Sequence, residues 1–133
     1  MLRSLTAAVL IATAMSACAS TAGTTTPPEE SSMRTVASGQ STAMAQGESV
    51  RLSDGATLQF VSVPQDSRCP PKVQCIRAGD ADIEFAFTPA GGTATTVTPN
   101  LPEAPTKPIG AWKLTVEQLT FGDAPKVTVR IDR

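Results

Sequence analysis

The residues of this sequence best suited to chemistry sit in one stretch, 66–82, which reads Asp-Ser-Arg-Cys-Pro-Pro-Lys-Val-Gln-Cys-Ile-Arg-Ala-Gly-Asp-Ala-Asp. Its two thiols, Cys69 and Cys75, could exchange disulfides, hold a metal or close a structural bridge. Five residues separate them, so the spacing is not the Cys-x-x-Cys of redox motifs. A zinc site needs two further ligands, and the chain contains no histidine. The expectation is a structural disulfide, with Pro70 and Pro71 favouring an extended approach to a turn at Lys72–Gln74.

The charged side chains of the same stretch allow further uses. Asp66, Arg68, Lys72 and Arg77 form a candidate binding loop, although Asp66 and Ser67 equally suit the ordinary task of bonding their own turn backbone. Asp66, Asp80, Asp82 and Glu84 offer the hard oxygen ligands calcium takes, but their spacing matches no calcium loop, so no metal site and no cofactor is expected. Gly79 stands where the chain turns into the next strand, a place for a positive φ. Without histidine the chain lacks the usual general base near neutral pH, and each carboxylate is accounted for by an exposed strand face or a turn. The expectation is a protein that is not an enzyme. Eleven basic residues against twelve acidic ones leave a net charge of −1 and no basic stripe, which argues against a nucleic acid partner.

The third cysteine, Cys18, belongs to the leader. Residues 1–17 carry a positive start at Arg3, an apolar run from Leu5 to Met15 and small residues before Cys18, the layout of a secretory signal. The run is shorter than the roughly 20 apolar residues of a spanning helix. Met15-Ser16-Ala17-Cys18 resembles the lipobox of bacterial lipoproteins, in which the cysteine is lipidated and becomes the first mature residue. That resemblance implies lipidation at Cys18, attachment to a membrane through a lipid anchor, and an even pair, Cys69 and Cys75, left in an oxidising compartment. Ala19, rather than Asp, follows the cysteine, which by the same resemblance implies the outer membrane, facing the periplasm or the surface.

The elements that must position the 66–82 stretch follow from composition and period. Residues 18–46 are rich in Ala, Ser, Thr, Gly and Pro with no apolar period, and are expected to be a disordered tether. Its reach would be about 30 Å. From residue 47 the pattern alternates. Val50 and Leu52 precede an Asp54–Gly55 turn, and Leu58 and Phe60 lead into the cysteine stretch. Ile83, Phe85 and Phe87 alternate with Asp82, Glu84 and Ala86 beyond it. Thr93–Thr98 reads as a weak edge strand. Four prolines in 99–108 exclude a central strand and suggest a surface crossing. Trp112, Leu114 and Val116 alternate, Leu119 and Phe121 run one residue out of step and so imply a bulge near Gln118, and Val127, Val129 and Ile131 close the pattern. About six or seven strands and no helical period predict an all-β domain over 47–133, a small antiparallel β-sandwich of immunoglobulin-like architecture, with a small β-barrel as the alternative. The Trp and Phe residues should occupy the core centre.

Asp66-Ser67-Arg68-Cys69-Pro70, then Cys75-Ile76 and Ala78-Gly79 ahead of a strand, resembles the signature of a group of small uncharacterised bacterial exported lipoproteins. The resemblance runs from about residue 47 to the end and implies no activity. Arg77 stands where that group carries an aromatic residue, commonly Trp. Three functions remain open: a lipid-anchored, non-catalytic envelope module with a possible envelope protein partner; an inhibitor of a secreted hydrolase acting through the 69–75 loop and Lys72; and a periplasmic ion or small-ligand binder.

Overall fold

The computed structural model describes residues Met33–Arg133. The signal segment 1–17, the lipidation site Cys18 and tether residues 18–32 lie outside the described residues. Ten strands follow in chain order: β1 (Arg34–Val36), β2 (Gln40–Ala45), β3 (Ser49–Leu52), β4 (Thr57–Asp66), β5 (Ala81–Thr88), β6 (Thr95–Val97), β7 (Asn100–Leu101), β8 (Thr106–Ile109), β9 (Trp112–Leu119) and β10 (Lys126–Asp132). The described residues contain no helix.

The strands form two packed sheets, one ordered β1-β3-β4-β5-β6 with β7 also on β5, the other β2-β10-β9-β8. This is the expected all-β sandwich, and the two sheets keep separate edges instead of closing into a barrel. Five successive strand pairs are hydrogen-bonded neighbours, β3–β4, β4–β5, β5–β6, β8–β9 and β9–β10, while the chain crosses between the sheets from β1 to β2, from β2 to β3 and from β7 to β8. All pairings are antiparallel except β1 with β3.

Alternation explains the packing. In β5, Ala81, Ile83, Phe85 and Phe87 are buried and the residues between them half-buried. In β10, Val127, Val129 and Ile131 do the same from the facing sheet. Phe60 and Phe85 are cross-strand partners with ring centroids 5.7 Å apart, within the range that aromatic pairs prefer. Among the described residues the core holds no buried polar or charged side chain. The bulge falls where the sequence places it: Thr128 faces Gln118 and Val129 faces Val116, which leaves Glu117 as the extra residue. Pro108 lies in β8, which pairs only with β9, an edge where a missing N–H costs nothing.

Two expectations need correction. Strands are already present at Arg34–Val36 and Gln40–Ala45, within the segment expected to be tether. Val36 and Met44 are buried, Arg34 pairs with Glu48 at 2.9 Å and donates to the Ala43 carbonyl at 2.7 Å, and β2 takes its ladder from β10. Phe121 is not in the core. It is 42% exposed, because β9 ends at Leu119 and Phe121 lies beyond it in the connection to β10.

Candidate functional site

The β4–β5 hairpin extends beyond its last paired residues, Asp66 and Ala81. Ser67 N–H donates to the Asp80 carbonyl at 2.8 Å and Cys69 N–H to the Ala78 carbonyl at 2.9 Å, so two more rungs carry the ladder out to the cysteines. There the disulfide between Cys69 and Cys75, with Cα atoms 5.9 Å apart, closes the tip as expected. Inside the ring Val73 N–H donates to Pro70 O at 3.3 Å, and Lys72 takes φ +67°, the left-handed conformation of a tight turn.

Cross-linking so short a loop contributes about 2 kcal/mol by the chain-entropy relation. The pair Cys69→Ser with Cys75→Ser is therefore expected to lower the unfolding free energy by that much, moving the urea midpoint down while leaving the slope of the transition unchanged, because neither cysteine belongs to the core. Loss of the cooperative transition itself would contradict this local role.

The four candidate loop residues separate into two pairs. Asp66 and Arg68 turn inward. The Arg68 guanidinium donates from Nε to Asp66 Oδ1 at 2.8 Å and from Nη2 to Oδ2 at 2.7 Å, a fork on a carboxylate. It also donates from Nη1 to the Leu119 carbonyl at 2.7 Å and lies 4.1 Å from the centre of the Phe121 ring. Arg68 thus ties the base of the hairpin to the end of β9 in the other sheet. Lys72 and Arg77 turn outward and take part in none of the ion pairs among the described residues. Two apolar residues share their exposure: Val73 is 56% exposed and Ile76 fully so.

Below the tip the packing is tight. Gly79 has φ +69°, and a β-carbon added there would overlap the Ser67 carbonyl. Next to it the Asn100 amide donates from Nδ2 to Asp80 at 2.7 Å and to Asp82 at 2.8 Å, while its Oδ1 is buried without a partner. The Ser67 hydroxyl donates to Asp80 Oδ1 at 3.0 Å. The carboxylates weighed as calcium ligands do not gather: Asp66 is held by Arg68, and an amide lies between Asp80 and Asp82. No cluster of three metal-ligating side chains occurs among the described residues. Two open grooves flank Gly79. One, of about 520 Å³, lies between Arg68 and Leu101, Leu119 and Phe121. The other, of about 570 Å³, is lined by Arg77, Asp80 and Glu103.

Hydrogen bonds hold three carboxyls below the usual Asp value of about 3.9. For Asp66 the chief cause is the Arg68 side chain, for Asp80 the Asn100 amide, and for Asp54 the Ala56 N–H, followed by the Trp112 indole N–H at 2.6 Å. Each lowered carboxyl contributes stability that is present above the unfolded value and is lost as pH falls through the folded one, since the unfolded chain takes up protons first. With no histidine in the chain, melting temperature is expected to stay flat from about pH 5 to 8 and to fall as the solution is acidified below about pH 4. A melting temperature that rises on acidification would contradict these bonds.

Sequence reasoning singled out Asp66, Arg68, Lys72 and Arg77 but missed Asn100, Phe121, Val73 and Ile76. Asn100 lies in a proline-rich crossing with no local sign of its two acidic partners. The position of Ile76 just outside the disulfide ring was a usable signal, because an aliphatic residue there has no strand face to hide against. Chemically, the arrangement offers a disulfide-closed, exposed tip on a base where Asp66, Ser67, Arg68 and Asp80 are engaged in structural bonds. No protein-family model, curated protein or solved structure matches the chain.

Proposed function

We propose that this chain is a lipid-anchored, non-catalytic module of the cell envelope, attached through Cys18 and displaying the tip of the β4–β5 hairpin for interaction. One observation carries the reading: at the hairpin base Asp66, Arg68, Ser67 and Asp80 are bonded to one another or to the sandwich, whereas Lys72, Val73, Ile76 and Arg77 are exposed on a loop closed by a disulfide. A preorganised loop loses little conformational freedom on binding. The leader and Cys18 supply the anchor, and Ala19 after the cysteine favours the outer membrane.

The hydrolase-inhibitor reading has less support. Lys72 stands in a left-handed turn, whereas peptides that lie along a binding cleft are extended. Metabolic labelling with palmitate tests the anchor. The wild-type protein should take up label and sediment with membranes, and Cys18→Ser should do neither. A labelled Cys18→Ser variant, or an unlabelled wild type, would overturn the attachment.

A further inference from the structure

We propose that the hairpin tip docks on an anionic phospholipid surface, with Val73 and Ile76 entering the boundary between headgroups and acyl chains and Lys72 and Arg77 meeting the phosphates. This names the partner of the interaction module proposed above and rests on that reading only for the tip being its contact point.

Charge complementarity is the first support. Residues 67–79 include Arg68, Lys72 and Arg77 and no acidic residue. Arg68 is neutralised by Asp66, while Asp80, at the other side of the base, keeps its charge on the neutral donors Asn100 and Ser67 and forms no ion pair with Lys72 or Arg77 among the described residues. Two positive charges therefore remain at the tip. Glu103 lines the same groove as Arg77 but forms no ion pair with it among the described residues. Basic side chains beside apolar ones suit a membrane interface, because their long stems lie along the apolar layer while the charge stays with the phosphates.

Shape is the second support. Ile76 is fully exposed and Val73 more than half exposed. The disulfide, the Val73–Pro70 backbone bond and the two rungs below prevent the loop from folding back to cover them. A protein partner of ordinary size would bury about 800 Å² on each side around aromatic anchors. The tip is a small ring without an aromatic residue, which suits shallow insertion into lipid better than a protein interface.

The test uses the full chain carrying Ile76→Trp, mixed with vesicles whose acyl chains are brominated and quench a nearby indole. Trp112 is only 3% exposed and serves as the unresponsive background. In vesicles of equal parts phosphatidylglycerol and phosphatidylcholine, the indole introduced at position 76 is expected to lose about half its emission, and in pure phosphatidylcholine vesicles almost none. Adding Lys72→Ser and Arg77→Ser should abolish the difference between the two vesicles. Equal quenching in both lipids, or quenching that survives removal of both bases, would overturn the proposal. No quenching in either lipid would overturn it too and leave the tip to a protein partner. The readout is local to position 76, so it separates from the anchor: palmitate on Cys18 with an unquenched tip sinks only the docking, and a quenched tip with unlabelled Cys18 sinks only the anchor.

Discussion

Gly79→Ala is expected to destabilise the domain by about 3–4 kcal/mol, a large part of the 5–15 kcal/mol that holds a typical domain together. Two effects add. A residue with a β-carbon in the left-handed region costs about 1–2 kcal/mol, and at Gly79 φ is +69°. The new methyl would also overlap the Ser67 carbonyl, which is backbone and cannot rotate aside. Relief requires β4 and β5 to part where Ser67 N–H meets the Asp80 carbonyl and Cys69 N–H meets the Ala78 carbonyl, at about 1 kcal/mol for each bond lost. Gly91 supplies the control. It has nearly the same conformation, φ +68°, yet nothing lies within 4 Å of an added β-carbon, so Gly91→Ala should cost only the conformational part, about 1–2 kcal/mol. Urea unfolding of both variants separates the contributions. Equal losses would mean that the approach of Gly79 to Ser67 plays no part.

The same region marks how far the sequence could be read. Strands β5, β9 and β10 were legible because one wet face and one dry face force strict alternation, and even the bulge was visible as Leu119 falling one residue out of step. Strands β1 and β2 were not. Gln-Ser-Thr-Ala-Met-Ala contributes only Met44 to the core, and its hydrogen bonds come from β10, more than eighty residues further along the chain. A segment stabilised by so distant a partner looks locally like a tether. The candidate site was half legible on similar grounds. The disulfide and the turn at Gly79 follow from residue type and spacing, whereas the split of Asp66 and Arg68 from Lys72 and Arg77 depends on Leu119 and Phe121, about fifty residues away.

That dependence makes Arg68 the sharpest test of structural against binding roles. Arg68→Ala is expected to cost about 2–4 kcal/mol, from the loss of charge-assisted bonds and the stranding of the part-buried Leu119 carbonyl. The guanidinium stacked on Phe121 adds to this by a smaller amount, about 0.5–1 kcal/mol at an exposed site. At roughly 4–8 °C per kcal/mol for a domain of this size, melting temperature should fall by about 10–30 °C. Lys72→Ala, on an exposed side chain with no ion-pair partner among the described residues, should stay within about 0.5 kcal/mol of the wild type. Arg68→Lys keeps the charge but cannot reproduce the fork that grips Asp66 while reaching Leu119, and should recover only part of the loss. The pH profile supplies a readout that mere loss of packing would not move. The Arg68 side chain is the chief cause of the lowered Asp66 pKa, so in Arg68→Ala that carboxyl returns toward its ordinary value and its share of the stability lost below about pH 4 disappears. An Arg68→Ala protein that melts at the wild-type temperature would instead free this guanidinium for a role at the surface, and would show that the hairpin stands without its tie to β9.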